Sequence, residues 1–164
     1  MVCVCPTIAL IHSQVADLVN KGINAVAFGR CAGEDAVKNR SRVLNEDETG
    51  VPALVYTTPE TFERELHLLK KRNDKIKMIV SDEIHKVFDH QIQFREAYNT
   101  FSTLQDDFTD IPVMALTATL GDNEMKRLST TYLRSQVLIK ESVDRSNIKF
   151  KIGKYKSQEK QRKG

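Results

Sequence analysis

Short, wholly apolar runs alternate with segments of helical period along most of the chain, and this alternation restricts the fold more than any other feature. Residues 2–5 are apolar throughout, as for a strand buried on both faces. Pro6-Thr7 follows, with Thr7 placed to cap a helix. Ile8, Ile11, Val15 and Leu18 then recur at helical spacing until Gly22 stops the run. Further apolar runs at 23–28, 51–57, 76–80, 111–116 and 137–139 read as strands. Between them, 33–50 has room for a short helix. A second helix opens at Thr58-Pro59 with Phe62, Leu66 and Leu69 on one face. A third carries Phe94, Tyr98 and Phe101, and a fourth runs from Asp122 as cap to Leu133. Six strands separated by helices predict an α/β fold, a parallel sheet with helices on both faces. The first strand begins at residue 2, although such strands usually sit centrally. The sheet is therefore expected to be incomplete at its N-terminal end, as if cut from something longer.

The 164 residues suit one domain rather than two. With 40% apolar and 29% charged residues, the chain is too apolar to be disordered and too charged for a membrane protein. No run approaches the roughly 20 apolar residues of a membrane span, so no membrane partner is expected. Three cysteines, an odd number, argue against a disulfide framework and for a reducing, intracellular compartment. The net charge of +3 hides an asymmetry. Residues 149–164 hold seven Lys or Arg and one Glu, leaving 18 basic against 21 acidic side chains in residues 1–148. A folded domain over 1–148 and a basic tail over 149–164 follow. The charge of the whole chain therefore says nothing about what the folded body binds.

The sharpest local pattern is at 76–85, Ile-Lys-Met-Ile-Val-Ser-Asp-Glu-Ile-His. A mostly apolar strand ends in Asp82 and Glu83, with His85 two residues on. In open α/β sheets, ligands collect at the carboxyl ends of strands. Two acids there suit a hydrated magnesium ion and a polarised water, the needs of phosphoryl transfer. A solvated turn would carry similar letters, so the pattern gains weight only in company. That company exists. A second strand ends in Leu116-Thr117-Ala118-Thr119, whose hydroxyls can reach carboxylates on a neighbouring strand. Pro6-Thr7 and Thr58-Pro59-Glu60 sit at strand-to-helix junctions, where hydroxyls and free N–H groups can hold backbone phosphates.

In this order and spacing, the set resembles the first RecA-like core domain of superfamily 2 helicases, most closely the RecQ family. Cys5-Pro6-Thr7 through Val15 looks like motif Ia, Tyr56-Thr57-Thr58-Pro59-Glu60 like motif Ib, Asp82-Glu83-Ile84-His85 like the DEAH form of motif II, and Leu116-Thr117-Ala118-Thr119 like motif III. Phe94-Arg95 and Tyr98 fall on the end of the aromatic-rich loop, and Asp144-Arg145-Ser146-Asn147 resembles the junction to the second core domain.

The resemblance implies an ATP- and magnesium-dependent 3′-to-5′ DNA helicase acting on single-stranded or partly duplex DNA, nuclear and engaged in DNA repair. It implies that Asp82 holds magnesium through water, that Glu83 activates the attacking water, and that His85 links the nucleotide site to the DNA side with Thr117 and Thr119. Pro6, Thr7, Gln14, Thr58, Phe94 and Arg95 would line the single-strand track, Arg95 on a phosphate and Phe94 against a base. Tyr98 and Phe101 fit a buried helix face equally well.

Departures from the family pattern matter too. No Gly-x-x-x-x-Gly-Lys-Ser/Thr occurs in the 164 residues, and His90-Gln91-Ile92-Gln93 replaces the family's Trp-Gly-His-Asp. The chain alone is therefore expected to be inactive. The alternative is a catalytically dead nucleic-acid-binding or adaptor protein that keeps the fold. An incomplete sheet also predicts association through an exposed edge. Cys3 and Cys5 are expected on opposite faces of their strand, with no zinc spacing to Cys31 or His12. His67 and His90 read as surface or packing residues. Lys70, Lys71, Arg72, Lys75 and Lys77 read as a solvated face, as do Arg30, Lys38, Arg40 and Arg42.

Overall fold

The computed structural model describes residues 1–44, 50–88, 97, 100–133, 136–141, 147–149, 151 and 153. Five strands form one all-parallel sheet: β1 (Val2–Val4), β2 (Ala25–Ala27), β3 (Leu54–Thr57), β4 (Ile79–Ser81) and β5 (Val113–Ala115). Their spatial order is β2-β3-β1-β4-β5. The apolar opening strand is thus central, with Val2 in register with Val55 on one side and Ile79 on the other. Every residue of β1, β2 and β4 is buried, which explains why these runs carry no polar alternation.

The helices are α1 (Ile8–Asn20), α2 (Ala36–Leu44), α3 (Pro59–Lys70), the single-turn α4 (Leu104–Asp107) and α5 (Asp122–Thr131). Thr7 occupies the N-cap of α1, but its side chain makes no capping bond. Gly22 ends α1 at φ 76°, with its own N–H on the Val19 carbonyl and the Ile23 N–H on that of Leu18. That paired return needs a left-handed residue and explains the glycine. Gly121, not Asp122, caps α5, because Glu124 reaches back to accept the Gly121 N–H at 3.1 Å.

Core residues lie on both faces of the sheet. On one face, Val4, Val26, Val55 and Ile79 pack with Phe62 and Leu69 of α3, Phe101, Leu104 and Leu128. Phe62 and Phe101 stack at 5.7 Å, so Phe101 is a core residue. Full burial of a Phe62-sized side chain is worth roughly 1.5–3 kcal/mol. On the other face, Cys5, Ile11, Ala27 and Cys31 cluster with Val15 and Tyr56. Ile8 of α1 stays 47% exposed despite its place in the helical period.

Residues 137–139 form no strand. Val137 and Ile139 are 89% and 88% exposed, and the segment pairs with no neighbour among the described residues. A β-branched run has strand propensity, yet it becomes a strand only with a partner to complete its ladder. Among the described residues, no helix is long and apolar enough to cross a membrane.

Candidate functional site

Sheet order arranges the site. Reading the carboxyl ends across the sheet, β3 delivers Thr58, the central β1 delivers Pro6-Thr7, β4 delivers Asp82-Glu83, and β5 delivers Thr117. Residues more than a hundred positions apart in sequence therefore meet along one rim. The strand bearing Pro6-Thr7 lies directly between those bearing Thr58 and Asp82.

Asp82 is anchored at both ends. Its N–H donates to the Val4 carbonyl at 2.9 Å, continuing the β1–β4 ladder by one residue. Its Oδ1 accepts the Glu83 N–H at 3.0 Å, and its Oδ2 lies 3.9 Å from the Cys5 thiol, which donates to it. Glu83 then adopts φ 52°, a left-handed backbone that is unfavourable for a side chain of this kind. This turn brings the Ile84 N–H onto the Leu116 carbonyl at 3.0 Å and buries Ile84.

His85 Nδ1 lies 3.1 Å from Glu83 Oε2 and 3.1 Å from Thr117 Oγ1. The Thr117 hydroxyl also accepts the Thr119 N–H at 3.3 Å. Glu83, His85 and Thr117 thus form one polar cluster bridging the ends of β4 and β5. The His85 and Glu83 side chains are 25% and 40% exposed, so water reaches both. Such a group can hold or pass a proton and orient a water molecule.

Pro6 is half-buried, Thr7 is exposed, and Gln14 is half-buried on α1. Thr58 is only 8% exposed, and its hydroxyl accepts the Thr61 N–H at 3.4 Å and donates to the Thr61 hydroxyl at 3.3 Å. Its side chain is committed to capping α3. Thr119 is exposed. Phe94, Arg95 and Tyr98 lie outside the described residues, as do His90 and residues 144–146.

Three features were not read from the sequence. Cys3 and Cys5 share a face rather than opposing each other, as the two-residue period of a strand requires. Both lie beside Tyr56 and Asp82. Burial, reinforced by the Asp82 charge, pushes the Cys5 thiol up to about 12, and burial beside Cys3 does the same for the Tyr56 phenol. All three cysteines are free and buried. The third feature is a close approach at Gly29, where a Cβ would come within 2.2 Å of Thr61 Cγ2.

Several of the basic residues read as a solvated face are paired away from Asp82 and Glu83, while Arg30 follows the carboxyl end of β2. Lys70 pairs with Asp107, and Lys77 donates to the Asp74 carbonyl, both near the amino ends of β4 and β5. Arg40 pairs with Glu65, and Arg42 with Asn24. Burial disfavours the Glu65 charge, but Arg40 and Arg64 hold its carboxyl below the ordinary range.

No group of three or more His, Cys, Asp or Glu side chains that could hold a metal occurs among the described residues. A half-buried carboxylate at a strand end fits a hydrated magnesium ion whose remaining ligands are water and phosphate.

Comparison with known proteins agrees with this architecture. Residues 1–128 match the DEAD/DEAH box helicase family. The chain is 29% identical over 155 residues to the ATP-dependent helicase SGS1 of Saccharomyces cerevisiae, covering 91% of this chain and 10% of that protein. It is 30% identical over 157 residues to the ATP-dependent DNA helicase RecQ of Haemophilus influenzae, covering 94% of this chain and 25% of that one. A putative ATP-dependent DNA helicase Q1 of Caenorhabditis elegans is 25% identical over 156 residues, covering 91% and 24%. The chain spans a quarter or less of the length of these relatives. The matched region contains the strand-end acids, the histidine and the threonines Thr7, Thr58 and Thr117 of the rim, and the chain belongs to the DEAD/DEAH box helicase family.

Proposed function

We propose that this chain carries part of the machinery of an ATP-dependent, 3′-to-5′ DNA helicase of RecQ type. The observation that supports this best is the convergence of Asp82, Glu83, His85 and Thr117 at the ends of β4 and β5, one strand from Pro6-Thr7. In this reading Asp82 holds magnesium through water, and the ion, when bound, offsets phosphate charge. Glu83 takes a proton from the attacking water. His85, Thr117 and Thr119 connect that proton-handling group to the neighbouring strand end. Pro6, Thr7, Gln14, Thr58, Phe94 and Arg95 line the single-stranded DNA track, and Thr58 also caps the start of α3. The protein acts on single-stranded or partly duplex DNA, in the nucleus and in DNA repair. It self-associates through an exposed sheet edge; among the described residues no strand pairs with the outer side of β5, beside Met114 and Leu116, which are each 45% exposed.

The 164 residues alone are expected to give no DNA-stimulated phosphate release, since no phosphate-cradling glycine loop with its lysine occurs in them. Turnover that disappears in Glu83→Gln would overturn that expectation. DNA binding is the direct test. A labelled dT oligonucleotide should bind the whole chain weakly, and Arg95→Ala should weaken binding several-fold more than Lys71→Ala at about 0.2 M salt, where non-specific attraction by the basic tail is reduced. Equal effects of the two substitutions would defeat the helicase-track assignment and favour an adaptor that binds through its tail.

A further inference from the structure

We propose that Cys5 is a positioning residue tying the Pro6-Thr7 segment to the Asp82 carboxylate. The inference rests on the reading above, in which Pro6-Thr7 meets DNA and Asp82 faces the nucleotide. Cys5 is 1% exposed at the carboxyl end of β1, and its N–H donates to the Thr57 carbonyl at 2.9 Å. Its thiol donates to Asp82 Oδ2 at 3.9 Å, while Asp82 Oδ1 takes the Glu83 N–H. The carboxylate is therefore held from both oxygens, once by its own turn and once by the neighbouring strand. The next residue after Cys5 is Pro6, whose ring leaves little torsional freedom between them. Thr7 then starts α1 through the Ile11 N–H on its carbonyl at 3.1 Å.

A ligand that shifts Pro6-Thr7 must consequently shift the Cys5 thiol, and with it one of the two contacts that orient Asp82. A buried cysteine can also be a simple filler, behaving as a small hydrophobe. Substitutions separate the two roles. Cys5→Val fills the site without a donor, and Cys5→Ser keeps a donor.

The experiment follows backbone amide resonances of the whole chain while a single-stranded dT oligonucleotide is added. In the unsubstituted chain, amides at 7–14 and at Asp82 and Glu83 should move together. Cys5→Val should keep the movement at 7–14 and lose more than half of it at Asp82 and Glu83. Cys5→Ser should keep both. If Cys5→Val does not give a folded spectrum, Cys5→Ala serves in its place. Full movement at Asp82 and Glu83 without a donor, or loss in Cys5→Ser as complete as in Cys5→Val, overturns the proposal. An unsubstituted chain in which 7–14 do not move defeats the DNA reading itself, and the proposal with it.

Discussion

Glu83 sets its Oε2 3.1 Å from His85 Nδ1 while holding its own backbone at φ 52°. A side chain in this left-handed region costs about 1–2 kcal/mol relative to the ordinary right-handed one. The exposed Glu83–His85 contact offsets little of that, because pairs open to water contribute less than about 1 kcal/mol. Glu83→Gly should therefore stabilise the fold by about 1 kcal/mol, raising Tm by about 2–4 °C in a chain of this size. The same substitution removes the carboxylate proposed to act on water. A thermal melt decides the matter: a lower Tm for Glu83→Gly would show that the carboxylate's contacts outweigh the backbone strain.

Thr58 makes a separable prediction. Its hydroxyl caps α3 from a buried position, and loss of such a cap costs about 1 kcal/mol. Thr58→Ala should lower Tm by about 2–4 °C, whereas Thr58→Ser should stay within about half of that. Any weakening of DNA binding by Thr58→Ala should largely vanish in Thr58→Ser. If Thr58→Ser weakens binding as much as Thr58→Ala while the Tm holds, the methyl group itself faces the DNA.

Much of the sheet and the rim was legible in the sequence, for a physical reason. Strands buried on both faces must be apolar, so residues 2–5 declared themselves without needing a partner to be known, and the mostly apolar runs at 51–57 and 76–80 placed β3 and β4 to within a few residues. The position of Asp82 and Glu83 at the carboxyl end of a strand was legible, because an apolar run stops directly before them. The order of strands was not legible. It decides that β1 separates β3 from β4, and hence that Cys5 reaches Asp82 across 77 positions. The false strand at 137–139 fails for a related reason, since propensity is local and pairing is not. The capping bond and burial of Thr58 were not legible, because a capping threonine and a phosphate-binding one carry the same letter at the same helix start. Gly29 gave no signal in the sequence, because its close approach to Thr61 comes from packing between distant segments.

Gly29 combines two costs that alanine would incur together. Its φ is 84°, and an added Cβ would lie 2.2 Å from Thr61 Cγ2 and 2.8 Å from its hydroxyl oxygen. The backbone term is about 1–2 kcal/mol, and overpacking adds about 1–3 kcal/mol. Gly29→Ala should thus destabilise by more than Thr58→Ala. Thr61→Ala in the same chain should recover part of the loss, because the clash involves the Thr61 side chain. Denaturant midpoints of the two single variants and the double variant give the coupling. Strict additivity would mean that the Gly29 turn moves away from α3 instead of clashing with it.

The pH dependence of stability should reveal Cys5 and Tyr56 on the alkaline side. Burial, then the Asp82 charge, raises the Cys5 thiol from 9.0 to about 12. Burial, then Cys3, raises the Tyr56 phenol from 10.0 to about 12. A folded value above the unfolded one means that the fold favours the protonated form. The contribution is therefore complete below the unfolded value and disappears as pH rises through the folded one. Tm should be insensitive to these two groups up to about pH 9, then fall progressively towards pH 12 as the unfolded thiol and phenol ionise first. Cys5→Ser removes one of the two groups and should flatten the fall that begins near pH 9, leaving the later part set by Tyr56. Tyr56→Phe should flatten only that later part. The measurement is Tm against pH for the three chains, at constant ionic strength. Coincident curves above pH 9 for Cys5→Ser and the unsubstituted chain would mean that the thiol reaches water before the chain unfolds.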